Sequence, residues 1–238
     1  MKSDDFNARL AAAANDDDAQ ASREQACETL TTAFRDAGQL LWVGGYLFGP
    51  DRAAGVSPFQ YGSDATVALG TVCRIGSELM EGAATLLRAD NLYAASALLR
   101  QMVEVEYLAW AFSEDEEEAS AWIRSTHDER MRLWQPRHLR ARSDGRFRGA
   151  DYQQHCERGG HPTPNARALL RGSTGREWVP LWWFDLTLHG VSTWRYARDA
   201  FEKVQWGGEI PGKLDSIVGA AIERWEAVEG LREIINSL

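Results

Sequence analysis

The sequence contains few cysteines, few lysines and no long apolar run. Its three cysteines, Cys27, Cys73 and Cys156, are odd in number and far apart, and none forms a Cys-x-x-Cys pair. This excludes a disulfide framework and a cysteine-rich zinc site, and it suits a reducing compartment. The most apolar windows are too short to cross a bilayer or contain Asp185 and His189. The first ten residues, MKSDDFNARL, carry acids where a signal peptide needs a basic start. We therefore expect a cytoplasmic protein that does not enter a membrane.

The alternation of apolar and polar residues that is typical of β-strands is rare, and this absence indicates the fold class. Apolar residues instead recur every three or four positions in almost every segment. A chain of 238 residues can bury a sufficient core without disulfides or metals. The pattern predicts an all-α, single-domain helical bundle of six to eight helices over residues 21–238. Residues 1–20 are expected to form an N-terminal tail or a frayed helix.

The charge is unevenly distributed. The formal net charge of −9 weakly disfavours general binding to nucleic acid. Residues 130–148, however, contain seven arginines, which can bind the phosphates of RNA or an acidic protein such as the run at 114–118 of another copy. The 23 arginines against 3 lysines are also explained by genome composition. We expect this segment to bind RNA or an acidic partner, and the chain to form a homo-oligomer, most simply a dimer. The seven arginines are Arg130, Arg132, Arg137, Arg140, Arg142, Arg146 and Arg148.

Ionisable residues occur on a helix that the sequence predicts to be central. The helix over residues 92–112 is apolar on almost every side, yet it carries Arg100, Glu104 and Glu106. Arg100 and Glu104 are four residues apart and can form a buried ion pair that fixes the helix register. Alternatively, these side chains line a polar pocket between helices. Both interpretations remain open from the sequence.

A second helix, predicted over residues 181–204, places Asp185 and His189 one turn apart. An aspartate at this spacing can fix the imidazole tautomer, as in catalytic dyads and also in satisfied core histidines. A third interpretation is a small-molecule pocket lined by tryptophan and tyrosine, with His189 and Glu106 as its polar contacts.

The stretch HCERGGHPTP, residues 155–164, combines two histidines with strong helix-ending signals. We expect one glycine to adopt a left-handed conformation, His161 to be extended before proline, and Thr163 with Pro164 to begin a helix. None of these roles needs a histidine, so His161 and, secondarily, His155 are candidate functional residues.

A metal site at this stretch is not favoured by the sequence. His155, Cys156 and His161 are ligand types for zinc, but the first two are adjacent and point about 100° apart on a helix. No Glu-x-x-His or His-x3-His pair supports them. We therefore expect no metal and no other cofactor.

Three segments together resemble a bacterial family of all-helical domains of unknown function. They are LLRQMVEVEYLAWAF, an acidic helix ending in RMRLW, and DYQQHCERGGHPTP, within a match over roughly residues 65–200. The family shows an Arg-x3-Glu pair on a central helix and a downstream His-Pro turn. The resemblance implies that Arg100, Glu104 and His161 are its signature residues here.

More remotely, the chain resembles the HEPN class of helical bundles. Many members are metal-independent ribonucleases of toxin and antiviral systems with an Arg-x4–6-His motif at a dimer interface. Arg132 with His138 and Arg148 with His155 have this spacing, which the abundance of arginine also explains. Pro136 interrupts the first of these pairs.

Two functions from different classes follow. The first is an RNA-acting enzyme of a conflict or defence system, which, if catalytic, transfers phosphoryl groups without a metal. His161 with Arg100, or His155 with Arg148, would supply the base and the cation. The second is a non-catalytic helical protein that binds a partner or assembles as an oligomer.

Overall fold

The structure, a computed structural model, describes residues 2–47, 62–171, 179–204 and 211–236. All regular elements within these ranges are helices, and no strand occurs in them, which confirms the all-α prediction. None of the described helices combines the length and apolar character that crossing a membrane requires. The α-helices are α1 Lys2–Ala14, α2 Asp17–Leu47, α3 Asp64–Arg88, α4 Leu92–Glu114, α5 Glu116–Arg124, α6 His127–Leu133, α7 Pro136–Arg142, α8 Gly149–His155, α9 Val179–Phe201, α10 Pro211–Val228 and α11 Leu231–Asn236.

The core lies between the long helices α2, α3, α4 and α9, with α10 packed on the outside of α2. Glycines allow α2 and α3 to approach closely. A Cβ at Gly70 would lie 2.6 Å from the backbone nitrogen of Trp42, and one at Gly38 would lie 2.9 Å from that of Arg74. These two glycines therefore serve packing inside the helices, where their entropic cost is offset by the close contact.

Helix α4 occupies the centre of the described fold, as its all-round apolar pattern predicts. It packs against α3 and α9, and it also contacts α5 and α7. Because α9 is its main partner, polar residues that both helices bury must find their partners across this interface.

The sequence from Ser113 to Pro136 predicts one helix, with Ser113 and Glu116 as its capping box, and this prediction is wrong. The chain forms two helices, α5 and α6, joined at 125–126. Asp115 rather than Ser113 caps α5. Thr126 and Glu129 form a reciprocal capping box that starts α6, and this local signal outweighs the continuous apolar pattern.

Helix α1 is attached to the bundle by a buried arginine. Arg23 on α2 donates to the carbonyl oxygens of Ala13 and Ala14 at the end of α1, at 3.1 and 3.0 Å. Its guanidinium also binds Glu229 with two hydrogen bonds, at 2.7 and 2.8 Å, and Trp225 donates to the same carboxylate. This cluster joins both ends of the described chain to α2.

Candidate functional site

Five ionisable side chains from α4, α8 and α9 form a continuous row in which carboxylates and imidazoles alternate. Glu106 Oε2 lies 2.6 Å from His189 Nδ1, and His189 Nε2 lies 3.5 Å from Asp185 Oδ1. The second oxygen of Asp185 lies 3.7 Å from His155 Nδ1, and His155 Nε2 lies 4.0 Å from Asp151 Oδ1. We call this row the carboxylate–histidine chain. It runs from Glu106, whose side chain is 9% exposed, to Asp151, which is 52% exposed.

A repeated sequence pattern builds the chain. Asp151 and His155 are four residues apart on α8, and Asp185 and His189 are four apart on α9. Residues at this spacing lie on one face of a helix, so each helix presents an aspartate and a histidine together. The two faces meet, and the rings of His155 and His189 stand edge to face with their centroids 5.2 Å apart.

The electrostatic environment separates the two histidines. Burial alone would lower the pKa of His189, but the charge of Glu106 and the contacts with Asp185 and Glu106 hold that pKa well above its ordinary value. Burial lowers the pKa of His155 below its ordinary value. The negative charge of Asp185 raises this pKa in part, and the positive charge of His189 lowers it further. Burial would raise the pKa of Asp185, but contact with His189 and the nearby positive charges, including Arg158, hold it below its usual value.

The predicted pair of Arg100 and Glu104 is present beside this chain, with Nη2–Oε1 at 2.6 Å. It is not isolated, because the Tyr152 hydroxyl donates to Glu104 at 2.8 Å and accepts from Arg100 at 3.0 Å. The two charged side chains are 23% and 32% exposed, so the pair lies at the edge of the interior rather than inside it. Tyr152 directly follows Asp151 on α8 and connects the two groups of residues.

The glycine-containing turn differs from the expectation. After His155 the chain continues as one π-helical turn, Cys156–Gly160, and Gly159 does not have a positive φ. The expectation of a left-handed glycine was therefore wrong for Gly159, which is required for a different reason. A Cβ at this position would lie 2.5 Å from Ser96 Cβ and 2.6 Å from its carbonyl carbon, so only glycine lets the turn rest against α4.

Beyond the turn the local expectations are confirmed more closely. His161 is extended, with φ −140 and ψ 153, and Pro164 begins a helix after Thr163. That helix, Pro164–Leu169, is of the 3₁₀ type, and the Thr163 hydroxyl donates to Glu157 O instead of capping it.

His161 does not join the candidate residues on α4. Its side chain is exposed, and in the described parts of the chain no hydrogen bond, ion pair or ring contact connects it to Arg100 or Glu104. The backbone at 161 is extended after the π-helical turn, and the side chain is exposed to solvent. The proposed combination of His161 with Arg100 is therefore not formed.

Three of the seven arginines predicted to bind an anion lie beside this site. Arg140 stacks over the ring of Tyr152, with Cζ 4.5 Å from the centroid. Arg146 stacks over Tyr196 at 5.9 Å and donates to its hydroxyl. Arg148 is the residue that precedes α8. Within the described ranges no carboxylate forms an ion pair with these three side chains. We call Arg140, Arg146, Arg148, Tyr152 and Tyr196 the arginine–tyrosine face.

The other four arginines lie on α6 and α7. Arg142 is neutralised by Glu118, at 2.6 Å, and Arg130 donates to Ser125. Arg137 contacts its neighbour His138, and Arg132 lies exposed on α6.

Neither of the two Arg-x4–6-His pairs lies within a single helix. Arg132 lies on α6 and His138 on α7, because Pro136 begins a new helix. Arg148 is the residue before α8, and His155 is the last residue of that helix.

One member of the carboxylate–histidine chain and one of its contacts were not identified from the sequence. Asp151 was not considered, although the repeated Asp-x3-His pattern of 151–155 and 185–189 could have shown it. Glu106 and His189 were expected to contact a ligand as separate residues, and the structure joins them directly.

Comparisons with protein-family models, with curated protein sequences and with solved structures give no match to this chain. The geometry of the site is therefore the basis for a functional hypothesis.

Proposed function

We propose that this protein is a cytoplasmic enzyme that cleaves phosphodiester bonds in RNA at the carboxylate–histidine chain. The observation that carries the proposal is that α8 contributes both to this chain and to the arginine–tyrosine face. Arg148 immediately precedes α8, and Asp151 and His155 lie one turn apart within that helix. A phosphate bound by Arg148 would therefore lie within about 5–10 Å of the reactive side chains, since a helix rises about 1.5 Å per residue.

The residues of the two groups suit the chemistry of this reaction. Cleavage needs a base that accepts the 2′-OH proton and positive charge that stabilises the phosphorane. His155 is the candidate base, and the 2′ oxygen then attacks phosphorus while the 5′ oxygen leaves with a proton supplied through His189. The side chains of Asp151 and Asp185, 52% and 27% exposed, mark where substrate reaches this chain.

The tyrosines favour a nucleic acid over a simple anion. Tyr152 and Tyr196 are partly exposed, and each supports an arginine on its ring. Aromatic rings next to arginine bind single-stranded bases by stacking while the guanidinium groups bind phosphate.

A cleavage assay with variants of α8 tests the proposal. The purified protein is incubated with a labelled single-stranded oligoribonucleotide, and products are separated on a gel. We expect cleavage by the wild type, loss of it in His155→Ala, and weaker binding in Arg148→Gln, whose exposed side chain is not needed for folding. The matched control is His161→Ala, because His161 is exposed and does not belong to the carboxylate–histidine chain. This variant is expected to cleave at the wild-type rate. Absence of cleavage by the wild type, or equal activity in all variants, would contradict the proposal.

A second candidate function is assembly with another copy or with a partner protein through α6. No residue of α6 is buried, and Met131 and Leu133 are 45% and 39% exposed among its arginines. Apolar side chains that are exposed together on one short helix are typical of a contact surface. Sedimentation velocity over a range of concentrations would show a dimer that Met131→Glu weakens. A monomer at all concentrations would contradict self-assembly.

A further inference from the structure

The side chains of Asp151, His155 and His189 have the composition and spacing of a metal-ligand set. One ligand atom from each of the three lies within 4.8 Å of the other two. We propose that these residues bind one divalent first-row transition-metal ion, with Asp185 adjacent as a further carboxylate. This inference goes beyond the proposed function, because it does not depend on which substrate the protein acts on.

The distances are close to those of a formed site. In a tetrahedral zinc site with bonds of about 2.0–2.1 Å, neighbouring ligand atoms are about 3.4 Å apart. His189 Nε2 and Asp185 Oδ1 already have this separation, at 3.5 Å. Within the ligand set, His155 Nε2 and Asp151 Oδ1 are 4.0 Å apart, and rotation of the exposed Asp151 side chain can shorten this distance.

Glu106 gives His189 the tautomer that a metal ligand requires. A carboxylate only accepts hydrogen bonds, so Nδ1 of His189 carries the proton of the 2.6 Å contact. Its Nε2 then faces Asp185 and the other ligands. Histidine ligands in metalloproteins regularly donate their second N–H to a carboxylate in this way. Asp185 Oδ2 lies 3.7 Å from His155 Nδ1, which is beyond hydrogen-bond distance, so of these two histidines only His189 has its tautomer fixed by a carboxylate.

The backbone fixes the positions of the ligands. Each Asp-x3-His pair belongs to one face of a helix, and metal sites in helical bundles are built from such spaced pairs on facing helices. The π-helical turn that follows His155 is held against Ser96 by Gly159, which leaves the end of α8 little freedom to move. Single π-turns inside or after α-helices occur frequently at functional sites.

The charges of the site favour a cation. The two imidazoles are contacted by three carboxylates, those of Glu106, Asp185 and Asp151. One nearby arginine, Arg158, places positive charge near Asp185 and His155. A donor set of two imidazole nitrogens with carboxylate oxygens suits Zn²⁺, Mn²⁺, Fe²⁺ or Co²⁺. Mg²⁺ prefers oxygen ligands only, and we expect it to bind far more weakly. With the ion bound, His155 and His189 would be its ligands and not the base and acid of the metal-free reaction. The ion would then supply the positive charge that phosphodiester cleavage needs, and a water bound to it would supply the base.

A direct metal titration tests the inference. Protein without an affinity tag is treated with a chelator, desalted, and titrated with Zn²⁺, Co²⁺, Mn²⁺ and Mg²⁺ in a calorimeter. We expect one equivalent of Zn²⁺ or Co²⁺ to bind, and the Co²⁺ protein to show visible absorption bands of a low-coordinate site. Asp151→Asn removes an exposed ligand without disturbing the core, and Glu106→Gln alters only the group behind His189. Each is expected to weaken binding by at least about 10-fold.

The exposed histidine His161 again provides the control, because His161→Ala removes a metal-binding side chain outside the ligand set. Unchanged affinity in this variant is expected. No saturable binding by the wild type, or the same loss in His161→Ala as in Asp151→Asn, would overturn the inference. Metal binding without RNA cleavage would support the inference and contradict the proposed function. RNA cleavage by chelator-treated protein that binds no Zn²⁺ or Co²⁺ would support the proposed function and overturn the metal inference.

Discussion

Glu106 and His189 are 83 residues apart in the sequence, yet their side chains meet at 2.6 Å in the interface between α4 and α9. Both are about nine-tenths buried. A buried carboxylate needs a hydrogen-bonded or charged partner, and here the partner is an imidazole on the helix that packs most closely against α4. This contact anchors the inner end of the carboxylate–histidine chain.

The first prediction is a strong coupling between these two residues. Glu106→Leu and His189→Leu each leave the other side chain buried without its partner, which costs about 3–5 kcal/mol in free energy of unfolding. The double variant is expected to cost less than the sum by at least about 1 kcal/mol, measured by urea unfolding. The exposed pair Arg35 and Glu81 serves as the comparison, with a coupling below about 1 kcal/mol. Additive losses for Glu106 and His189 would show that the contact is not formed.

The second prediction concerns the contact between Gly159 and Ser96. Gly159→Ala places a methyl group against backbone atoms that cannot move independently, and we expect a loss of about 1–3 kcal/mol in thermal or urea unfolding. Gly149→Ala is the matched control, since a Cβ there meets nothing within 4 Å and α8 begins at this residue. It is expected to be neutral or to stabilise by up to about 1 kcal/mol. Equal effects of the two substitutions would contradict the close packing of the π-helical turn on α4.

A third prediction follows from the fully buried Arg23. Arg23→Ala removes the partner of Glu229 and the donors to the end of α1, so we expect a loss of about 3–5 kcal/mol. Arg35→Ala, which breaks only an exposed pair, is expected to cost no more than about 1 kcal/mol. Hydrogen exchange would also show α1 opening in Arg23→Ala. Protection of α1 unchanged from the wild type would argue against its attachment through Arg23.

The fourth prediction revises what the sequence implied for Arg100 and Glu104. As a fully buried pair, either residue alone would be essential and the joint change to Met and Leu would be mild. Because the pair is about a quarter to a third exposed and shares Tyr152, each single substitution should cost only about 1 kcal/mol. Tyr152→Phe should cost a similar amount, since it removes one hydroxyl that both charges use. Unfolding of either single variant at room temperature would contradict this placement.

The helical fold could be predicted from the sequence because it depends on local periodicity. The pattern of 92–112 correctly indicates a central helix with buried polar groups. The adjacent Ser63 and Asp64 are both residue types that cap helices, and Ser63 is the one that caps α3. The break between α5 and α6 depends on the capping box of Thr126 and Glu129, a local signal that the apolar pattern of this segment does not reveal.

Most residues of the site could be predicted from the sequence, but their contacts with one another could not. His155, His189 and Asp185 were identified as candidates because ionisable groups in apolar helices need partners. Which partner each takes depends on how α4, α8 and α9 pack, and no local pattern specifies this. His161 was overvalued for the same reason, since the turn fixes its backbone but not what lies opposite its ring. Asp151 was the member that the repeated Asp-x3-His spacing could have revealed.

Anomalous diffraction tests most directly whether the carboxylate–histidine chain binds a metal ion, as we propose. Crystals of untagged protein grown with Zn²⁺ would be measured on both sides of the zinc absorption edge. We expect one strong anomalous peak about 2.0–2.3 Å from ligand atoms of His155, His189 and Asp151. A map without a peak at these residues, or with zinc only at surface groups such as His161, would contradict the claim.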